Sequence, residues 1–310
     1  MYVLMGKQNE LGERAPWANF SNKIYECSEG WTSVTMPSME AERINKGIFE
    51  KSCGGGFIFP NSIHDLGLWL ELLMLSSPET EKIKNDPPVY KHIFKMGNKL
   101  PSGLTIETVK RNEVSVYKDM HVGRGNITMG KITEFEVSLM DGSFCPSTNA
   151  ENGEKSPSSL TDKNKIETDI PLSITSFRVN DRIVEFNDAF FSINHFIEES
   201  KSSSEIIKQD AIFATWIDHP IKDINGDIVN NSPSSGDNSI ELSIACSTTN
   251  NTHNCFEIEM PRARVTDLHP PDIIPEQTDR LLEFTQSDSK SIQDLRITII
   301  NNESAEQFLR

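Results

Sequence analysis

Residues 132–139 read ITEFEVSL, and their alternation decides the fold. Thr133, Phe135, Val137 and Leu139 fall on one side of an extended chain. Ile132, Glu134, Glu136 and Ser138 fall on the other. A period of two, apolar against charged, marks a strand whose sheet packs on one face and meets water on the other. FEIEM at 256–260 repeats the pattern, with Phe256, Ile258 and Met260 inward and Glu257 and Glu259 outward. Further strand signals lie at 104–109, 114–117, 172–179, 182–186, 189–197, 240–245, 281–285 and 294–300. Asn180-Asp181 has the chemistry of a tight hairpin, and Gly123–Asn126 and Asp141-Gly142 mark further reversals. Gly54-Gly55-Gly56 reads as a bulge or a close backbone approach.

One helix interrupts the strands, over about 62–76. Ser62 with Asp65 forms a capping-box variant, and Ser76-Ser77-Pro78 ends the run. Leu66, Trp69, Leu70, Leu73 and Met74 make a wide apolar stripe that Leu68, Leu72 and Leu75 widen further. A helix apolar on most sides is buried on most sides, here against a sheet and against a loop or a second subunit.

The expected fold is therefore mainly β, a sandwich or barrel with one flanking helix and long loops or arms. It divides into a β-rich half at 1–143, a polar linker or insertion at 144–169 and a second β-rich half at 170–310. Polar composition also marks 198–210, 221–239 and 246–254 as surface loops.

The chain has 310 residues, 36% of them apolar, enough for a sizeable core, and a formal net charge of −16. Residues 1–145 hold 16 basic and 18 acidic side chains, and the remainder 14 and 28, so the second half carries most of the negative charge. Such a surface disfavours tight non-specific nucleic-acid binding. The apolar runs fall short of the roughly 20 residues a spanning helix needs, so no membrane segment is expected. The five cysteines, Cys27, Cys53, Cys145, Cys246 and Cys255, are odd in number and form no C-x-x-C pair. Reduced, inert thiols in a cytosolic setting are expected.

Motifs that carry chemistry are missing. The seven histidines form no H-x-x-x-H, and there is no G-x-S-x-G or P-loop. Glu134 with Glu136, and Glu257 with Glu259, have the two-apart spacing of paired carboxylates, but a hydrated sheet face explains such pairs more simply. No catalytic residue, metal or cofactor is expected.

Several stretches in order resemble the tail tube proteins (major tail proteins) of long-tailed bacteriophages. GGGFIFPNSIHDLGLWLELLML at 54–75 looks like that family's strand followed by an apolar helix. The passage 89–130 resembles it at His92, Phe94, Leu100, Pro101, Ser102, Thr105, Glu107, Tyr117 and Gly123, and KITEFEVSLMDGS at 131–143 follows as the next strand. SFRVNDRIVEFNDAFFSI, FEIEMPRARVTD, LLEFTQSD and LRITIINN follow the family's strand order more loosely. The polar insertions at 144–169 and 221–254 and the N-terminal stretch depart from it.

The resemblance implies a structural virion protein. Its copies form rings, usually hexameric, that stack into the hollow tail through which viral DNA passes, and they are assembled in the host cytoplasm. Implied partners are the chain itself, terminator, tape measure and distal tail proteins, and DNA in transit. A bore for DNA works best with carboxylates on its wall, because each inward cation would hold phosphate. Glu134, Glu136, Glu257 and Glu259 are the candidate lumen-facing acids. Leu66, Trp69, Leu70, Leu73, His92 and Phe94 are the candidate inter-subunit packing residues. The stretches 1–50 and 76–100 are candidate arms between copies. Other readings are a tail terminator or decoration protein, and a β-sandwich carbohydrate-binding module.

Overall fold

A computed structural model describes residues 2–10, 12–21, 25–26, 32–34, 52–60, 66–98, 103–110, 113–129, 134–145, 172–179, 182–183, 189–200, 203–217, 240–248, 251–267, 280–286 and 292–309. The order begins β1 (Tyr2–Lys7), β2 (Tyr25–Glu26), β3 (Thr32–Val34), β4 (Ser52–Pro60), α1 (Leu66–Met74), β5 (Glu79–Asn85), β6 (Pro88–Lys95), β7 (Leu104–Lys110), β8 (Glu113–Met129) and β9 (Glu134–Cys145). It continues β10 (Leu172–Val179), β11 (Arg182–Ile183), β12 (Ala189–Ser200), β13 (Ser203–Ile217), β14 (Ile240–Thr248), β15 (Asn251–Asp267), β16 (Arg280–Gln286), β17 (Arg296–Asn301) and α2 (Ala305–Leu309). The protein is mainly β and antiparallel.

Two layers face one another. Sheet I is built on β8, which pairs β9 on one side and β7, then β12, on the other. From β12 it runs through β13 and β16 to the end of β15, and from β9 through β4 to β3. Sheet II runs β5-β6-β17-β15-β14-β10-β11. The strand β15 belongs to both. Its pairing with β14 in sheet II runs to Ala263, across an irregularity at Pro261 and Arg262, whose φ is 62°, and it joins sheet I at Arg264. The Arg262–Asp294 ion pair and the Gln286 amide on the Pro261 carbonyl hold that corner.

The core fills the space between the layers. In sheet I the register aligns Phe135, Ile127, Phe191, Phe213 and Phe284, all buried. In sheet II it aligns Phe177, Ile244, Ile258, Ile297 and Phe94, also buried. Phe177 meets Phe213 across the layers with ring centroids 5.2 Å apart. Strands from either side of 144–169 share these sheets, since β6 pairs β17 and β8 pairs β12.

Several turn and loop expectations are corrected. Gly123–Asn126 lies inside β8, and Asp141-Gly142 lies inside β9. Arg124, Gly125 and Asn126 are paired on two sides and Gly142 faces Cys53 of β4, so ladder bonds outweigh turn propensity there. Gly125 has a packing reason: a Cβ at that position would strike the Leu73 side chain. The polar stretches 198–210 and 246–254 are the ends of long hairpins, β12–β13 and β14–β15. β10 and β11 pair antiparallel with Val179 opposite Arg182, while Asn180-Asp181 between them lies outside the described residues. The glycines of β4 carry a bulge between Cys53 and Gly55. The insertion 144–169 beyond Cys145, the loop 221–239 and the helix cap at 62–65 lie outside the described residues.

Candidate functional site

Helix α1 is enclosed within a single chain. Leu66, Trp69, Leu70 and Leu73 have no accessible surface, and neither do His92 and Phe94 of β6. None of the six offers surface to a second copy, so the inter-subunit expectation gives way to an intramolecular one. The physical reason is α2, which, with β6 and β8, covers the sides of α1 that the sequence leaves unassigned. Phe308 of α2 lies so close to Gly67 that a Cβ there would collide with it.

His92 seats the same C-terminal segment. Its Nδ1 accepts from the Thr80 hydroxyl at 2.9 Å, and its Nε2–H faces Asn301 Oδ1 and the Glu303 carbonyl, each at 3.1 Å. The ring stacks on Phe308 with centroids 4.4 Å apart.

The last turn of α1 is capped by distant groups. Ser76 N–H donates to the Glu71 carbonyl, with Leu75 in the left-handed region at φ 56°. Gly97 N–H donates to the Met74 carbonyl at 2.7 Å, and His195 Nε2–H to the Leu73 carbonyl at 2.7 Å. Gln209, opposite His195 in the ladder, donates to the Gly97 carbonyl at 2.9 Å.

Burial drives the His195 imidazole from its ordinary 6.5 down to about 4, opposed by the Leu73 carbonyl and by Asp210. The folded chain therefore refuses a proton that the unfolded chain accepts between pH 6.5 and 4. Stability is full above that window, falls through it and loses no more from this group below it, about 3 kcal/mol in all. Urea titrations across this range should show the fall, and His195→Gln should flatten it.

The acids lie on two different surfaces. Glu136 points outward from sheet I, in a row with Asn126, Ser192, Ile212, Thr285 and Arg264. Asn126 donates to Glu136 Oε2 at 2.9 Å and accepts from Arg124 Nε at 2.8 Å. Asp210 and Glu283 belong to the neighbouring rows, and Asp210 accepts from Asn194 at 2.6 Å. Glu134 opens β9 opposite Thr128, and nothing further is described of its side chain.

Glu257 and Glu259 are half-buried on the outer face of sheet II, while Phe256, Ile258 and Met260 fill the core. Their surface points away from that of Glu136, because each sheet turns its apolar side to the same core. Glu259 shares its row with Arg178, Ser243, Arg296 and Lys95, and Lys91 lies four residues from Lys95 on the same face. This face is therefore mixed in charge, which the two glutamates in FEIEM do not reveal. Cys255 sits on it too. Burial, with Glu257 Oε1 at 3.6 Å, pushes its thiol up to about 12, so it stays protonated and inert.

A feature with no sequence signal covers β1 and β7. Residues 8–10 and 12–21 cross their outer side and seal a small apolar cluster of Leu4, Ala15, Phe20 and Trp17. Arg14 lies over the Trp17 ring, 4.3 Å from its centroid, and donates to Glu107 Oε1 from Nε at 2.7 Å and Nη2 at 2.6 Å. Glu107 is 2% exposed, while Arg14 is a third exposed. Asp119, at φ 57°, accepts from the Gly12 N–H at 2.6 Å and from Gln8 Nε2 at 3.1 Å. Hydrogen-bonded pairing of this kind across about a hundred residues leaves no local pattern to read.

Among the described residues, no group of three or more His, Cys, Asp or Glu is placed to hold a metal ion. No helix among them is long and apolar enough to cross a membrane. The chain matches no protein-family model, and a comparison with curated proteins finds no match.

Proposed function

We propose that this chain is a structural subunit that assembles with its own copies into a ring or tube wall, the hollow tail of a long-tailed bacteriophage being the form its sequence resembles. The observation that carries this reading is a two-layer wall with polar residues on both broad faces and an apolar interior. A wall of that kind can separate a bore from the outside while copies join through its edges. Terminator, tape measure and distal tail proteins would be its neighbours in such a tail, and viral DNA would pass without tight binding.

The bore side is sheet I. Its described outward acids, Glu136, Asp210 and Glu283, face two cations, Arg124 and Arg264, and Arg124 is held by Asn126. Sheet II sets Arg178, Arg296, Lys91 and Lys95 among its acids, and each such cation facing DNA would hold phosphate.

Negative-stain electron microscopy of the purified chain tests the assembly, with hollow tubes or rings expected. Monomers at every concentration would sink the reading. Glu136→Lys should slow genome ejection severalfold in particles that still assemble, whereas Glu259→Lys should leave it unchanged. The reverse result would turn sheet II inward.

A further inference from the structure

We propose that copies join head to tail through the two edges of sheet II, the β5 edge of one against the β10–β11 edge of the next. This rests on the assembly reading above and says which surfaces make it.

Sheet II has an open strand at each end. At one end β5 pairs only with β6 among the described residues, and all seven of its residues are exposed. At the other end β11 is two residues long and covers only Arg178 and Val179 of β10, and no other described strand pairs along that side. Unpaired edges present rows of free backbone donors and acceptors, a ready template for another strand.

The side chains point to the same two places. Among the described residues the large hydrophobic side chains left exposed are Ile83, at 49%, and Ile183, at 70%. Ile83 lies on β5 and Ile183 on β11, at opposite ends of one sheet. Two exposed isoleucines scattered at random would need no explanation, but one on each free edge of the same sheet does.

Charge selects the occupant. The register puts Glu79 and Glu81 on the outer face of the β5 edge, opposite Ile93 and Lys91. It puts Arg178 and Ile183 on the outer face of the other edge, as mutual partners. An acid beside an isoleucine therefore meets an arginine beside an isoleucine when unlike edges pair. Pairing of like edges brings Arg178 towards Arg178 and wastes the difference. Unlike edges on one molecule make a heterologous contact, which generates rings or continuous tubes and not closed dimers. The occupant of each edge is accordingly a second copy of this chain.

The test is a charge exchange in the full-length protein, read by sedimentation velocity and electron microscopy over a concentration series. Glu81→Arg and Arg178→Glu are each expected to raise the concentration needed for assembly about tenfold, the order expected when one cross-strand charge pair turns from attraction to repulsion. The double variant, in which every copy carries both changes, should return to within a few-fold of the parent. Ile83→Lys should block assembly at an unchanged thermal midpoint, since the residue is exposed. Hydrogen exchange should slow in 79–85 and 172–177 on assembly. Particles that form equally well in both single variants would overturn the edge assignment and leave the wall reading standing. A double variant no better than the worse single one would overturn head-to-tail pairing. A parent chain that never assembles would remove both.

Discussion

Trp69→Ala is expected to lower the stability of the isolated chain by about 3–5 kcal/mol, the usual cost of emptying a buried tryptophan site. Trp69 is fully buried within α1, a helix on which Glu71 alone is not buried and which is enclosed by β6, β8 and α2. The cavity would have little means of collapse, because α1 is fixed at both ends. Gly67 abuts Phe308, and the last carbonyls are held by Gly97 and His195. The readout that matters is urea unfolding at several protein concentrations. The loss should be the same in dilute monomer as in concentrated protein, because the packing belongs to one chain. A loss that grows with concentration, with the dilute monomer hardly changed, would restore Trp69 to an interface between copies.

That contrast shows where the sequence speaks and where it stops. The strands ITEFEVSL and FEIEM are legible because each has one dry and one wet face, and Phe135, Val137, Phe256 and Ile258 do lie in the core. The amphipathic reading fails for strands that are wet on both faces. ETEKIKN in β5 is exposed along its whole length, and its composition is that of a loop. The hairpin ends near Ser200 and Thr248 are hidden for the same reason, since only their ladder partners make them strands. Helix α1 is legible as buried but not as buried by what, because α2 lies more than 200 residues further on.

The candidate site divides in the same way. Which glutamates face outward follows from local alternation. Which charges stand beside them does not, because the row around Glu259 draws Arg178, Arg296 and Lys95 from three other strands. Even a correct inward–outward assignment therefore leaves the charge of a sheet face undetermined until the register is known.

Arg14→Ala is expected to cost about 3 kcal/mol, far more than a surface ion pair usually contributes. The asymmetry of the pair sets the size of the effect. Glu107 is 2% exposed, so removing its partner strands a carboxylate on the dry side of residues 8–10 and 12–21. Arg14 is a third exposed, so losing Glu107 leaves it a path to water, and Glu107→Leu should cost distinctly less. Arg14→Lys keeps the charge but loses the planar two-nitrogen grip on Oε1 and the stacking on Trp17, and should fall between parent and alanine. The double variant Arg14→Ala with Glu107→Leu should recover much of the loss, because the penalty is an uncompensated buried charge and not a missing attraction. Thermal unfolding of the parent and the four variants at low and high salt measures this. A buried pair should respond weakly to salt, and an Arg14→Ala variant as stable as the parent would mean that water already reaches Glu107.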